Sequence, residues 1–328
     1  MQTSMWLSVP LMFFIWAPPC AAAQRPQAPT MSTLEQEISA PPAPRMVAPA
    51  TSEIDKALAA RDYGRAERLL ANAIARQPSS RQLLIQIAGV FMTDRKPLNA
   101  AIALKKADAL SPLDTDARLQ LALAYIAMRR GEWARPELER LAVAEPANVV
   151  YRYWLARLDY DAGQYAVAIQ RLQEVVTQAP TFTRAHDNLG LCYEALNQSD
   201  EAIPHYREAV RLNRVDDKAR SGWPPLNLGI LLRSRGELEE SEALFREALT
   251  YDQHFAPGYY QLGALLEQRG RMDEAVKALR QASSADSGYA EPYYALSRIY
   301  RRQGHVGEAD AALATFERLH DARREPAR

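Results

Sequence analysis

Pro78, Pro112, Pro146 and Pro180 stand 34 residues apart, and an alanine stands 12 residues before each, at Ala66, Ala100, Ala134 and Ala168. Self-similarity at a fixed period of this length argues against a globule closed round one core. It calls for stacked units, each touching only its neighbours. A stack presents a continuous face, so such a chain is expected to work by binding along that face rather than by chemistry in a pocket.

Other columns share the period. The alanine column continues at Ala202, Ser241, Ala275 and Ala309; the step from 202 to 241 is 39, so five extra residues enter there. Four residues after that column lie Leu70, Leu104, Leu138, Leu172, Tyr206, Phe245, Leu279 and Leu313. Thirteen before it, from the second copy on, lie Ile87, Leu121, Leu155, Leu189, Leu228, Leu262 and Leu296. Each is followed by a small residue: Ala88, Ala122, Ala156, Gly190, Gly229, Gly263 or Ser297. Apolar residues at spacings of three and four put one stripe of a helix inward. Each unit therefore reads as two amphipathic helices joined by a short turn, often marked by glycine: Gly163, Gly236, Gly270 and Gly304. The small residues let neighbouring backbones approach, and the late proline ends the second helix.

These columns resemble the tetratricopeptide repeat, with its W-x2-L-G-x2-Y, A-x3-F, alanine and proline pattern. The clearest copies are NLGLCYEALNQSDEAIPHYREAV over 188–210 and YYQLGALLEQRGRMDEAVKALRQA over 259–282. The resemblance implies an all-α, right-handed α-solenoid of about eight helix-turn-helix repeats spanning 51–323. The copies fall near 47–80, 81–114, 115–148, 149–182, 183–221, 222–255, 256–289 and 290–323. Some copies depart from the pattern. Asp159 occupies the tyrosine column, Glu53 and Ile54 replace leucine and a small residue in the first copy, and Gly131 comes two residues late.

Residues 1–23 read as an export signal, with an apolar run from Trp6 to Ala17 and small residues at 21–23 for cleavage before Gln24. No Lys or Arg precedes the run. A lipid anchor at Cys20 and an uncleaved tether are the alternatives. Residues 24–50 read as a Pro/Ala-rich disordered linker, and 324–328 as a tail. The expected location is periplasmic or extracellular, with no integral span in the mature chain. Arginine greatly outnumbers lysine, a composition of GC-rich bacterial genomes.

Basic and acidic residues balance at 40 each, so no field for nucleic acid is expected. Cys192 falls in an apolar column and is expected in the core. The histidines, His186, His205, His254, His305 and His320, occupy five different repeat positions and share no ligand spacing on a helix, so no metal or cofactor is expected. No phosphate loop or nucleophile elbow occurs. Pairs such as Glu201 with His205 and Glu242 with Arg246 read as solvated helix pairs. The chain is read as non-catalytic.

In the family the first helix of each unit lines the concave groove, which implies that positions 2, 5, 6, 9 and 12 of each copy face it. Position 6 reads Gln86, Gln120, Trp154, Asn188, Asn227, Gln261 and Ala295. An amide carries an acceptor and two donors, the complement of a peptide bond. Such a column can clamp an extended peptide or protein segment without reading its sequence; the plain alternative is a solvated face. Tyr153, Trp154, Tyr160, Tyr260 and Tyr294 are the candidate aromatic anchors, and Arg157 and Arg298 the candidate partners for ligand carboxylates. The family's lysine-rich clamp for acidic tails lacks its lysines here.

The insertion VDDKARSGWPPL over 215–226 is a bend or a contact point, with Pro224 and Pro225 starting the next helix and Trp223 at the groove edge. Ala312, Phe316 and Leu319 are left partly uncovered in the last copy, which suggests self-association. The leading reading is a binding scaffold. The others are a structural or assembly factor of the cell envelope acting through oligomerisation, and a regulatory arm of an enzyme.

Overall fold

A computed structural model describes residues 53–216 and 220–324. The expected signal, Cys20, the linker and residues 325–328 of the tail lie outside the described residues. Within them are sixteen α-helices in eight pairs. The first pairs are α1 Glu53–Ala59 with α2 Tyr63–Arg76, α3 Arg81–Thr93 with α4 Pro97–Leu110, and α5 Thr115–Ala127 with α6 Gly131–Ala144. Next come α7 Val149–Asp161 with α8 Tyr165–Gln178, and α9 Thr183–Ala195 with α10 Ser199–Val215. The last are α11 Trp223–Ser234 with α12 Leu238–Tyr251, α13 Ala256–Gln268 with α14 Met272–Ala285, and α15 Glu291–Arg302 with α16 Val306–Arg324.

One local device closes every pair. The residue after each first helix's C-cap is left-handed: Arg61, Arg95, Arg129, Gly163, Asn197, Gly236, Gly270 and Gly304. The next N–H then reaches back to a carbonyl five residues earlier, as from Lys96 to Phe91 at 2.7 Å and from Gln164 to Asp159 at 2.8 Å. This is the glycine-type helix stop, which satisfies carbonyls the helix leaves open. The third copy uses Arg129 at φ 57° for it, and Gly131 instead opens α6. In the early copies the first helices are started by side chains: Ser80, Asp114 and Asn148 accept from the backbone of Leu83, Ala117 and Val150.

Helices pack on their chain neighbours. Beyond that, α3 touches α5, α7 touches α9, α9 touches α11, α11 touches α13 and α13 touches α15. Among the described residues, successive second helices make no such approach. The layer whose members crowd closer is the inner curve, so the first helices line the concave side of the α-solenoid. The core is correspondingly a string of adjoining apolar clusters. One runs from Ala57 to Ala124, the next from Ala122 to Cys192, then Leu191 to Leu244, and Leu226 to Ala312. Leu104, Leu138, Leu172, Tyr206, Phe245 and Leu279 sit wholly inside, each contributing about 1.5–3 kcal/mol.

Between copies five and six α10 runs to 17 residues, three longer than α8 or α12. Its fully buried Asn213 accepts from the N–H of Ser221 at 2.9 Å and donates to that residue's carbonyl at 2.9 Å, tying the end of α10 to the start of the next copy. Pro224 and Pro225 follow in the first turn of α11. Trp223 is half-buried and packs edge-on against Phe255, 5.0 Å between ring centres. Two ion pairs bridge the same junction, Arg207 to Glu240 and Arg214 to Glu247.

Candidate functional site

The inner layer divides along its length. At position 6, Gln86 is exposed, Gln120 and Gln261 are half-buried, and Trp154, Asn188, Asn227 and Ala295 are buried. The amide column is thus open towards both ends and filled at the centre. The carboxamide oxygens of Gln120 and Gln261 are shielded from solvent and accept no hydrogen bond from any described residue.

The filling is a network within the chain. Arg157 donates to the amide oxygen of Asn188 at 2.5 Å. Asn188 in turn donates to the Tyr153 hydroxyl at 3.3 Å and to the Arg184 carbonyl at 2.8 Å. Tyr153, fully buried, meets Trp154 and Phe182 edge-on at 5.4 and 5.2 Å. Asn227 donates to both carboxylate oxygens of Asp187 at 3.1 Å. Arg157 is also buried, so the guanidinium expected to await a ligand carboxylate is already committed to Asn188. The physical reason is complementarity: here the touching first helices bring matching donors and acceptors together, Arg157 with Asn188 and Asn227 with Asp187, and these satisfy one another.

Asp159, the outlier of the tyrosine column, is 1% exposed and takes Arg135 from α6 and Arg171 from α8, each at 2.7 Å. A carboxylate replaces the ring there because two arginines from flanking helices compensate its charge.

Around the open parts lie Tyr160, Asp161, Glu194, Arg233 and Tyr260. Asp161 is accessible to solvent, yet the surrounding protein raises its carboxyl pKa, with Arg157 and Arg129 offsetting part of the rise. Burial likewise raises the Glu194 pKa against a hydrogen bond of 2.8 Å from the Tyr206 hydroxyl, and lowers that of Arg233. The Tyr160 hydroxyl is pushed up to about 12 by burial, with Arg157 lying 5.6 Å over its ring. Asp161, Glu194 and Arg233 were not among the expected anchors. Glu194 and Arg233 fall in position 12, which runs Tyr160, Glu194, Arg233, Glu267 and Arg301 and alternates in sign from Glu194 on; Asp161 comes one residue later than that column.

Towards the last copies, Tyr260 is half-buried against Tyr289 at 5.4 Å. Arg298 is exposed, lies over the Tyr294 ring and pairs with Glu267 at 2.6 Å; Arg302 joins the same carboxylate at 3.3 Å. Tyr294 is 45% exposed and leans on Phe316. Ala312 is buried, while Phe316 and Leu319 are half-covered.

Cys192 is fully buried and its thiol is pushed up to about 12 by burial. His186 and His205, far apart in the repeat frame, come to 6.0 Å between ring centres, and His205 stacks flat on Tyr193 at 5.4 Å. Glu242 is more than half of a helix pair: besides Arg246 it receives Arg269 and Arg271. Among the described residues, no three His, Cys, Asp or Glu side chains gather as metal ligands, and no helix is long and apolar enough to cross a membrane.

Comparison with known proteins bears on the fold. Two profiles of the family described as Tetratricopeptide repeat match, one over 181–254 and one over 52–115 and 226–290. The family described as Bacterial transcriptional activator domain matches 88–216. No curated protein matches. Among solved structures, a chain of the APC/C hetero-tetramer Cut9-Hcn1 superposes with a TM-score of 0.62 at 14% identity, over 82% of this chain and 48% of that one. Yeast Tom70 does so with a TM-score of 0.59 at 16% identity, over 90% and 70%. PilW, a widely conserved type IV pilus biogenesis factor, gives 0.54 at 18%, over 62% and 92%. At these identities the likeness is one of fold.

Proposed function

This chain belongs to the tetratricopeptide repeat family, whose folds are protein-interaction scaffolds, and we propose that it is a non-catalytic scaffold holding a protein or extended peptide segment along its inner trough. The observation that carries this reading is the pair of shielded, unpartnered amide oxygens on Gln120 and Gln261. A buried acceptor without a donor costs about 1–3 kcal/mol, and the N–H of an extended peptide supplies the donor. Gln86, Tyr260, Tyr294 and Arg298 add exposed or half-exposed contact surface beyond them. The central residues Tyr153, Trp154, Arg157, Asn188 and Asn227 support the trough by fixing its floor, as their mutual contacts suggest.

The test is fluorescence anisotropy against a library of unstructured peptides. Gln120→Ala with Gln261→Ala is expected to weaken the selected peptides about tenfold without lowering the urea midpoint of the free chain. Unaltered affinity refutes the clamp.

The residues before the repeats support export to the periplasm or the exterior. Sequencing of the mature N-terminus is expected to begin at Gln24; a lipidated Cys20 or an intact Met1 would assign an anchor instead. A second reading, an envelope assembly factor acting through self-association, has one observation in its favour: the exposed Tyr294 beside half-covered Phe316 in the last described copy. Light scattering that finds a strict monomer counts against it.

A further inference from the structure

Charges on the inner layer are mostly compensated. Asp159 holds Arg135 and Arg171, and Glu267 holds Arg298 and Arg302. Three are not. Asp161 closes α7, Glu194 lies in the last turn of α9, and Arg233 lies in the last turn of α11, on three first helices that touch in sequence. Among the described residues, Glu194 accepts only the Tyr206 hydroxyl, and Arg233 donates only to the Gln261 carbonyl, at 3.5 Å. Asp161 makes no ion pair among the described residues; Arg157 and Arg129 act on it through space alone.

An ionised group set in a concavity without an ion-pair partner costs free energy. Here two such carboxylates are followed, one helix on, by one such guanidinium, with Tyr160 on one side and Tyr260 on the other. Neighbouring helix axes lie about 8–10 Å apart, and an extended chain advances about 3.3 Å per residue. We propose that the trough takes an extended peptide segment of mixed charge, with a lysine or arginine side chain set against Asp161 and Glu194 and a carboxylate about three residues away set against Arg233. This rests on the peptide-trough reading above and adds what that reading lacks, a selectivity. The amides grip any backbone; the three charges choose which segment lies in register and in which direction.

The test uses the full chain and alanine-flanked synthetic peptides carrying Lys-Ala-Ala-Glu, its neutral form Gln-Ala-Ala-Gln, and Lys-Ala-Ala-Lys. Titration calorimetry is expected to show the mixed-charge peptide bound about tenfold more tightly than the neutral one, a gap that salt narrows. Asp161→Asn with Glu194→Gln is expected to erase the preference for the lysine, and Arg233→Gln the preference for the glutamate, with the neutral peptide bound as before. Arg233→Glu is expected to turn the preference towards Lys-Ala-Ala-Lys. Circular dichroism melts verify that each variant folds. If all three peptides bind alike and Gln120→Ala with Gln261→Ala weakens all of them, the charge selectivity is overturned and the trough stands. If no peptide binds, both readings fall together.

Discussion

Asn227 on α11 donates its side-chain amide to both carboxylate oxygens of Asp187 on α9, 3.1 Å to each, inside the inner layer. The bond joins the copies on either side of the insertion. Removing one partner of a buried polar pair leaves the other desolvated, so Asn227→Ala is expected to lower stability by about 1–3 kcal/mol. Asn227→Asp, which sets a carboxylate against a carboxylate, is expected to cost more. Urea denaturation reads both. A variant with an unmoved midpoint but lost peptide capture would return Asn227 to the role of a free clamp.

A second relationship concerns how tightly paired helices approach. A Cβ on Gly229 would come 2.6 Å from the Phe245 ring, and one on Gly190 2.4 Å from Tyr206. Copies two to four place Ala88, Ala122 and Ala156 there, and Leu104, Leu138 and Leu172 at the facing position. Glycine with an aromatic ring and alanine with leucine are two fillings of one gap, and copy seven uses a third, Gly263 with Leu279. Gly229→Ala is expected to cost about 1–3 kcal/mol by overpacking. Adding Phe245→Leu should recover part of that loss, and a double-mutant cycle in urea is expected to give a favourable coupling. Additive losses would show that the two side chains do not share the gap.

These pairs show how much of the molecule could be read from residues alone. Period and column composition disclosed the paired helices, the inward Leu and Ala positions and the turn glycines, because those depend on local spacing and on neighbours one repeat away. Asp159 looked like a defect of the pattern. Its two arginines come from α6 and α8, and no local rule links them to it. The amide column was visible in sequence, but not its division. Whether position 6 opens to the trough or closes upon a neighbour depends on which side chains the adjoining first helices bring to it, a property of the pair rather than of any one copy. Asp161, Glu194 and Arg233 were missed for a related reason: a charge at a helix end reads as solvated until the concavity around it is known.

The turns offer a cleaner stability test. Arg61, Arg95 and Arg129 sit at φ 55°, 57° and 57°, where copies four, six, seven and eight use glycine. A side chain in this region costs about 1–2 kcal/mol, against which glycine loses about 0.5–1 kcal/mol of chain entropy. Arg61→Gly is therefore expected to raise stability slightly, by up to about 1 kcal/mol. The reverse change, Gly270→Ala at φ 76°, is expected to lower it by about 1 kcal/mol. Differential scanning calorimetry of the two single variants should show midpoints moving in opposite directions; movement in the same direction would mean that the turn conformation does not set the outcome.

The last prediction concerns pH. Burial raises the folded-state pKa of Glu194 above its ordinary 4.5. The folded chain then binds that proton more tightly than the unfolded chain, so the ionised group opposes folding at neutral pH, and the penalty fades as pH falls through the raised value towards 4.5. Asp108, Asp114, Glu242 and Glu247 behave oppositely. Hydrogen bonds and neighbouring cations hold their pKa values down despite burial, so their stabilisation is complete above the unfolded values and is lost on acidification below them. Bulk acid unfolding therefore mixes the two groups, and a variant must separate them. Glu194→Gln keeps an acceptor for the Tyr206 hydroxyl and removes the charge. It should be more stable than the parent at neutral pH, with the difference closing as pH approaches 4.5. Paired urea midpoints across that range measure the gap. A difference that does not change with pH would mean that Glu194 is as well solvated in the folded chain as in the unfolded one, which would remove it from the concave wall.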